Sequence, residues 1–403
     1  MSSRAARVGA ILAGIAIGVV AAAAAQALVE SPAPIRSPRP IPSTTTPGSA
    51  TPVPTRAPSS NSISLLVWSP GGIPSGMQRR IAALRGVRAV TMVRSQLHWL
   101  VESRSEEGTV IDAPSDGRAV PVEVAGIDPS EYARFVPPSE RSIIETLGRG
   151  NMLLARTESE LRGGGEGLRL RFQEGARAVS GVVSDEAAGG YEALVDVRTL
   201  SKGVRTYDFV LVLLEDRDRR ASVDRRVRKL VGDQVFRTRL QGETPYLRYG
   251  DAVLPQMMVK RFFGEFAASP RSDGSLDIDP AWIARNIAEV ELPLIGKVSC
   301  HRAVVPPLRA ALEDVRRAGL GFTVDPGQYA GCFGPRFINR DPNGRISHHA
   351  WAIAVDLNAS ANPFGARPAQ DDRLVEIMES HGFTWGGRWL IPDGMHFEWV
   401  LPP

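Results

Sequence analysis

Residues 31–60 give this chain almost nothing to bury. They are largely proline, serine and threonine, and Pro38, Pro40, Pro42, Pro47, Pro52, Pro54 and Pro58 exclude a helix or a central strand. The stretch, taken as residues 31–61, reads as an extended tether, so a folded body has to be built from residue 62 onward. Ahead of the tether, Arg4 and Arg7 precede an uncharged run over 8–29 in which Gln26 is the only strongly polar side chain. A positive start followed by an apolar segment is an export pattern, and Ala25, Gln26 and Ala27 resemble a small-x-small cleavage site. The run is also long enough to span a bilayer core of about 30 Å at about 1.5 Å per residue. Residues 1–30 are therefore read as a signal peptide or a membrane anchor. Either places the rest of the chain outside the cytoplasm, secreted or tethered in a bacterial cell envelope, with membrane contact only through this segment.

Length and charge narrow the classes further. The 403 residues suffice for two or three domains, and 43% apolar against 23% charged residues is a globular balance. The net charge is +4, and only Lys202, Lys229, Lys260 and Lys297 among the 48 basic residues are lysine. The arginines are scattered and interleaved with acids, which is not the clustered cationic face of a nucleic-acid binder. Cys300 and Cys332 fit a disulfide in an exported protein better than a zinc site, for which no second cysteine pair is present. Their pairing would close a loop of about thirty residues, worth roughly 3–4 kcal/mol by chain entropy.

Residues 62–268 read as an α+β domain without catalytic chemistry. Ile63 to Trp68 is a strand pattern expected to end at Pro70, Gly71 and Gly72; Ile81 to Leu84 opens an amphipathic helix, and Val87 to Val93 alternates as a strand. Further strand patterns run over 168–172, 179–183, 193–197 and 209–214, and the charge-dense stretch 216–230 has the spacing of a solvated helix. His98, the only histidine here, is read as structural. The order of elements, with the stretches 84–87, 124–129, 153–157 and 179–183, resembles the extracytoplasmic core domain of macrolide-exporter and FtsX-like permeases. That resemblance implies a part that binds an envelope protein partner or transmits motion.

The chemistry is concentrated in residues 269–403, which hold His301, His348, His349, His381 and His396. In one segment Ser347 and His349 are followed by Asp356, with Ala352, Ala354 and Asp356 alternating as on one strand face. In another, Asp393, His396 and Glu398 fall within six residues. Two histidines and an aspartate form a three-ligand zinc set that leaves one position open to water, the pattern of catalytic zinc. A nearby carboxylate could then move the protons of a hydrolysis. On spacing alone, satisfied surface histidines remain an alternative.

Together these segments closely resemble the zinc D-alanyl-D-alanine carboxypeptidase and L-alanyl-D-glutamate endopeptidase superfamily. Its Ser-x-His-x-x-Gly-x-Ala-x-Asp motif is met by Ser347, His349, Ala354 and Asp356. Its second motif is met by Asp393, His396, Phe397 and Glu398. The stretch 331–336, ending in Arg336, resembles the family's arginine segment, and 385–389 its Trp-Gly-Gly lead. The resemblance implies an α+β domain with a small antiparallel sheet, zinc held by His349, Asp356 and His396, and Asp393 as general base and acid. Glu398 competes with Asp393 for that role or else orients His396. Arg336 is implied to clamp a substrate carboxylate or polarise the scissile carbonyl, with a structural salt bridge as the alternative. Ser347 either donates to substrate or caps the turn. His348 and His381 fall outside the ligand spacing, and Trp351, Trp385, Trp389 and Trp399 are expected in the cleft wall or the core.

One departure is visible. The family glycine is Ala352 here, read as an extra methyl on the ligand strand and hence a slightly tighter site. A Cys300–Cys332 bridge would pin the arginine segment near the zinc. The resulting expectation is an exported zinc peptidase acting on peptidoglycan stem peptides, most simply a D-Ala-D-Ala-type carboxypeptidase. An L-Ala-D-Glu endopeptidase and a non-catalytic, zinc-holding envelope binding module are the alternatives, and none of them involves nucleic acid.

Overall fold

One long strand organises the middle of the molecule. The β-branched and apolar alternation expected over Val87 to Val93 continues without a break, and the strand runs Val87–Arg104. The computed structural model describes residues 63–200, 206–252 and 254–400. The apolar run 8–29 and the tether 31–61 lie outside the described residues, among which no helix is long and apolar enough to cross a membrane.

Ten strands of this part share one sheet: β1 (Ile63–Pro74), β2 (Val87–Arg104), β3 (Val110–Asp112), β4 (Val120–Ile127), β5 (Asn151–Ala155), β6 (Arg169–Phe172), β7 (Gly175–Val183), β8 (Ala193–Asp196), β9 (Thr206–Leu214) and β10 (Arg237–Leu240). The first half of β2 pairs with β9, its second half with β4, and its end with β6. The β2–β6 pairing closes β2-β4-β8-β5-β7-β6 into a ring, with β4/β8 and β5/β7 parallel. Alternate residues of the ring strands, among them Val122, Val124, Met152, Leu154, Leu170 and Val195, form one apolar cluster. On the other flank the helix Arg220–Val231 lays Val223, Val227 and Val231 against β1, β2 and β9, and its charged residues face outward.

Two local expectations are corrected. Pro70, Gly71 and Gly72 do not end β1; the strand slips register against β9 between Trp68 and Ile73 and continues to Pro74. A bulge absorbs the residues that a regular ladder would reject. The following helix is Met77–Ala82 rather than a helix beginning at Ile81, because Leu84 to Gly86 already turn the chain into β2, with Gly86 at φ +94°.

The C-terminal part is α+β with a small antiparallel sheet. Hairpins β11 (Ala268–Pro270)/β12 (Leu276–Ile278) and β13 (Ile287–Leu292)/β14 (Gly296–His301) precede the three-stranded sheet β15 (Ala354–Asp356)-β17 (His396–Trp399)-β16 (Phe383–Trp385). Helices Val305–Arg317 and Asp372–Ser380 bury Leu308, Leu312 and Val315, and Leu374, Val375 and Met378, in the same apolar cluster as Val355 and Phe397. Trp99, Ala119, Val259, Phe263 and Phe266 join that cluster from the sheet side, so apolar packing runs unbroken across residues 268 and 269. The same helix, Gln256–Phe263, carries the fully buried Lys260 into a nest of Glu158, Glu192 and Glu265.

Candidate functional site

Strand register assembles half of the site. β15 and β17 pair with Asp356 opposite His396 and Ala354 opposite Glu398. Directly opposed residues on antiparallel strands share a face, so these four point one way while Val355 and Phe397 point into the core. His349 arrives from a 3₁₀ turn, His348–Ala350, whose preceding Ser347 accepts the His349 N–H on its hydroxyl. Ser347 thus caps the turn, one of its two expected roles.

Ala352 is not on the strand. It lies in the turn before β15 with φ +55°, in the left-handed region that favours glycine. Of the three residues expected to alternate, only Ala354 and Asp356 belong to β15. The alanine therefore stores backbone strain in a buried turn, and does not tighten the ligand face with its methyl.

The arginine segment is strung across this turn and strand by main-chain bonds. Ala330 N–H donates to Asp356 O (3.0 Å), Asp356 N–H to Gly331 O (3.0 Å), Gly334 N–H to His349 O (2.9 Å) and Ser347 N–H to Arg336 O (3.0 Å). Cys332 within it is disulfide-bonded to Cys300 on β14, with Cα atoms 5.3 Å apart. The Cys332 carbonyl oxygen lies 3.0 Å from His349 Nδ1. With Nδ1 facing that carbonyl, His349 turns its Nε2 inward.

Three ligand atoms converge. His349 Nε2 and His396 Nδ1 each lie 3.2 Å from an oxygen of Asp356 and 3.3 Å from one another. One donor atom from each of the three buried residues lies within 4.8 Å of the others. Burial disfavours the Asp356 charge, but hydrogen bonds to His349 and His396 outweigh it and hold the carboxyl well below its usual range. Burial likewise disfavours the His396 imidazolium, and hydrogen bonds to Asp356 and Glu398 overcome that to raise it to about 10. Two carboxylates around facing imidazoles call for a positive charge, either a proton on His396 or a bound cation. The donor set of two imidazole nitrogens and one carboxylate suits zinc.

The two candidate bases part company here. Glu398 is 1% exposed; its Oε2 lies 2.9 Å from His348 Nδ1 and 3.5 Å from His396 Nε2, the nitrogen turned away from the cluster. Asp393 sits on the turn leading into β17, where its N–H donates to Gly386 O (3.0 Å) and its carbonyl accepts the His396 N–H (3.2 Å). A Cβ on Gly386 would come within 2.8 Å of the Asp393 carbonyl oxygen, so this approach needs the glycine. Asp393 Oδ1 is buried and has no hydrogen-bond partner. Burial pushes the Asp393 carboxyl up and Asp356 adds to it, against the pull of His396, His349 and Arg336.

Arg336 is half-buried and makes no salt bridge among the described residues; its Nη1 lies 3.4 Å from Gly334 O. Three other histidines make their contacts away from the cluster. His381 Nε2 lies 2.8 Å from Asp314, and His98 lies 3.3 Å from Glu174. His301 Nε2 lies 3.1 Å from Phe263 O, its Nδ1 accepts the Ala303 N–H, and burial lowers it to about 4. Trp351, Trp385 and Trp399 each donate their indole N–H to a main-chain carbonyl, while the Trp389 ring lies 5.0 Å from that of His396 and walls the site. The sequence reading missed the His348–Glu398 contact, which joins residues fifty apart by no local pattern. The Ala352 turn did have a signal, in the glycine the motif carries at that position.

A family model described as D-alanyl-D-alanine carboxypeptidase matches residues 340–399, which contain His349, Asp356, Asp393 and His396. No curated protein matches the chain. Among solved structures, the extracellular domain of the ABC-type transporter YknZ from Gram-positive bacteria is similar with a TM-score of 0.31 and 15% identity, over 44% of this chain and 100% of that one. The periplasmic region of MacB from Actinobacillus actinomycetemcomitans is similar with a TM-score of 0.32 and 12% identity, over 44% and 87%. The family match agrees in kind with the resemblance drawn from the segments that hold His349, Asp356 and His396.

Proposed function

We propose that this chain is an exported zinc peptidase that hydrolyses a peptide bond in peptidoglycan stem peptides, as a D-Ala-D-Ala-type carboxypeptidase. The observation that carries the reading is the convergence of His349 Nε2, His396 Nδ1 and the Asp356 carboxylate beside a buried, unpartnered oxygen of Asp393. The Cys300–Cys332 disulfide and the Arg4, Arg7 and apolar start of the chain support a place outside the cytoplasm.

His349, Asp356 and His396 would hold the zinc, whose Lewis acidity serves both a water and the scissile carbonyl. Asp393 Oδ1 takes the proton of the attacking water and returns it to the leaving amine. A carboxyl raised by burial is suited to both halves of that transfer. Glu398, occupied by His348 and His396, fixes the His396 ring and leaves the proton transfer to Asp393. Arg336, which makes no salt bridge among the described residues, offers a planar fork to a substrate carboxylate. Trp389 shields one side of His396 from water.

The test is to digest purified pentapeptide and tetrapeptide muropeptides with the full-length chain, with and without chelator, and to read the products by mass. Zinc-dependent loss of one alanine from the pentapeptide is expected. Cleavage between the first two stem residues would make the enzyme an endopeptidase. A zinc-loaded protein that breaks no bond would overturn the reading in favour of a binding module.

A further inference from the structure

His348 falls outside the ligand spacing, yet it is half-buried and contacts Glu398 on the metal-site strand. We propose that His348 is a positioning residue of the site, acting through Glu398 on His396, and that it ties the site to the Glu123–Arg248 ion pair of the sheet. The inference rests on the metal-site reading above and deepens it: the support of a ligand histidine comes in part from outside the C-terminal part.

The first observation is one shared oxygen. Glu398 Oε2 lies 2.9 Å from His348 Nδ1 and 3.5 Å from His396 Nε2. The shorter contact is the firmer one, so His348 determines where that oxygen sits. With Oε2 fixed, His396 keeps its proton on Nε2 and presents Nδ1 to Asp356 and His349. Without a donor from His348, a buried carboxylate loses a charge-assisted bond and is released to seek another.

The second observation is what His348 faces. It lines a cavity of about 30 Å³ together with Glu123, Arg248, Gln256, Arg345 and Trp351, room enough for a bridging water. Glu123 is buried and paired with Arg248. Gln256 donates to Glu192 Oε2 (2.8 Å), and the other Glu192 oxygen lies 2.6 Å from Lys260. The wall opposite His348 is thus a paired network of Glu123 on β4, Arg248 and the helix Gln256–Phe263. Nothing in residues 269–403 alone supplies that wall's carboxylate or its guanidinium from Arg248.

The experiment compares His348→Leu, His348→Gln and Glu123→Gln in the full-length chain. Zinc affinity is measured by competition with a chromogenic chelator. In metal-free, ¹⁵N-histidine-labelled protein, the exchange of the His396 Nε2–H proton with water is followed by NMR. His348→Leu should weaken zinc binding by about 10- to 100-fold and speed that exchange, whereas His348→Gln, which keeps a donor, should recover most of both. Glu123→Gln should weaken zinc binding by a smaller factor. Unchanged zinc affinity in His348→Leu, or equal losses in the Leu and Gln variants, would overturn the positioning role. An unchanged Glu123→Gln would overturn the tie to the sheet. Wild-type protein that binds no zinc would end the peptidase reading, and the proton-exchange arm would still decide this one.

Discussion

Two buried charge clusters of the molecule follow opposite plans. Around Lys260 in the sheet part, every carboxylate meets a cation: Glu192 at 2.6 Å, Glu265 at 3.2 Å and Glu158 at 3.8 Å from Nζ, with Arg162 closing on Glu158, Asp112 and Glu265. Around Asp356 in the C-terminal part, no lysine or arginine pairs with the carboxylate among the described residues; two imidazole nitrogens 3.3 Å apart face it, with an unpartnered Asp393 oxygen in the same site. Both clusters perturb their carboxyls strongly; burial lifts Glu192 to about 8 even against Lys260. Burial and a displaced pKa therefore do not mark a site by themselves. What separates the two is the partner: each carboxylate of the first cluster meets the Lys260 or Arg162 cation, whereas Asp356 meets two imidazoles and would be complemented by the cation proposed above.

Four measurements can break or sharpen this contrast. The largest effect is expected from Asp393→Asn, which should lower kcat by about 10²–10⁴-fold with zinc content unchanged, read as amine released from muropeptides. A rate left near wild type would move the base to Glu398. Next, Lys260→Met should strand its carboxylates and cost about 3–5 kcal/mol in denaturant unfolding. Unchanged stability would mean that the sheet cluster is not held by its cation.

The third concerns His301, a histidine of the C-terminal part that belongs to no cluster. Held near 4 in the fold against about 6.5 when free, it stays neutral while the unfolded chain takes up a proton. Its share of stability is full above about pH 6.5 and falls away as the pH drops towards 4, by about 3 kcal/mol in all. Urea unfolding across that range should be less pH-dependent in His301→Gln; equal slopes would refute the assignment. The smallest effect is expected from Ala352→Gly. Relief of left-handed strain, about 1–2 kcal/mol, exceeds the loss of one buried methyl, about 0.8 kcal/mol, for a net gain of at most about 1 kcal/mol in thermal unfolding. A lower Tm would show that the methyl's packing outweighs the strain.

Much of the site was legible because its parts are local. Ser347, His349 and Asp356 lie within one short segment, and Asp393, His396 and Glu398 within another, so residue type and spacing name them without a fold. The period of two also put Glu398 on the face of His396, which β17 bears out. The same period misled at Ala352, since alternation of small residues says nothing about φ, and the chain there is a left-handed turn. In the sheet part, composition located most strands, but Pro70 and Gly72 could not reveal that a bulge would carry β1 past them.

By itself, then, the sequence determined which residues are candidates for chemistry, the pair of cysteines that are bridged, and the alternation of apolar residues that makes an α+β chain. Only the tertiary structure decided that β2 meets β6 to close a ring, that Asp356 stands opposite His396, and that His348 grips Glu398 beneath a wall of the sheet. The physical reason is range. Periodicity and turn preference act over a few residues and are written along the chain. Which strand lies beside which, and which buried donor reaches which acceptor, depends on packing between segments tens of residues apart.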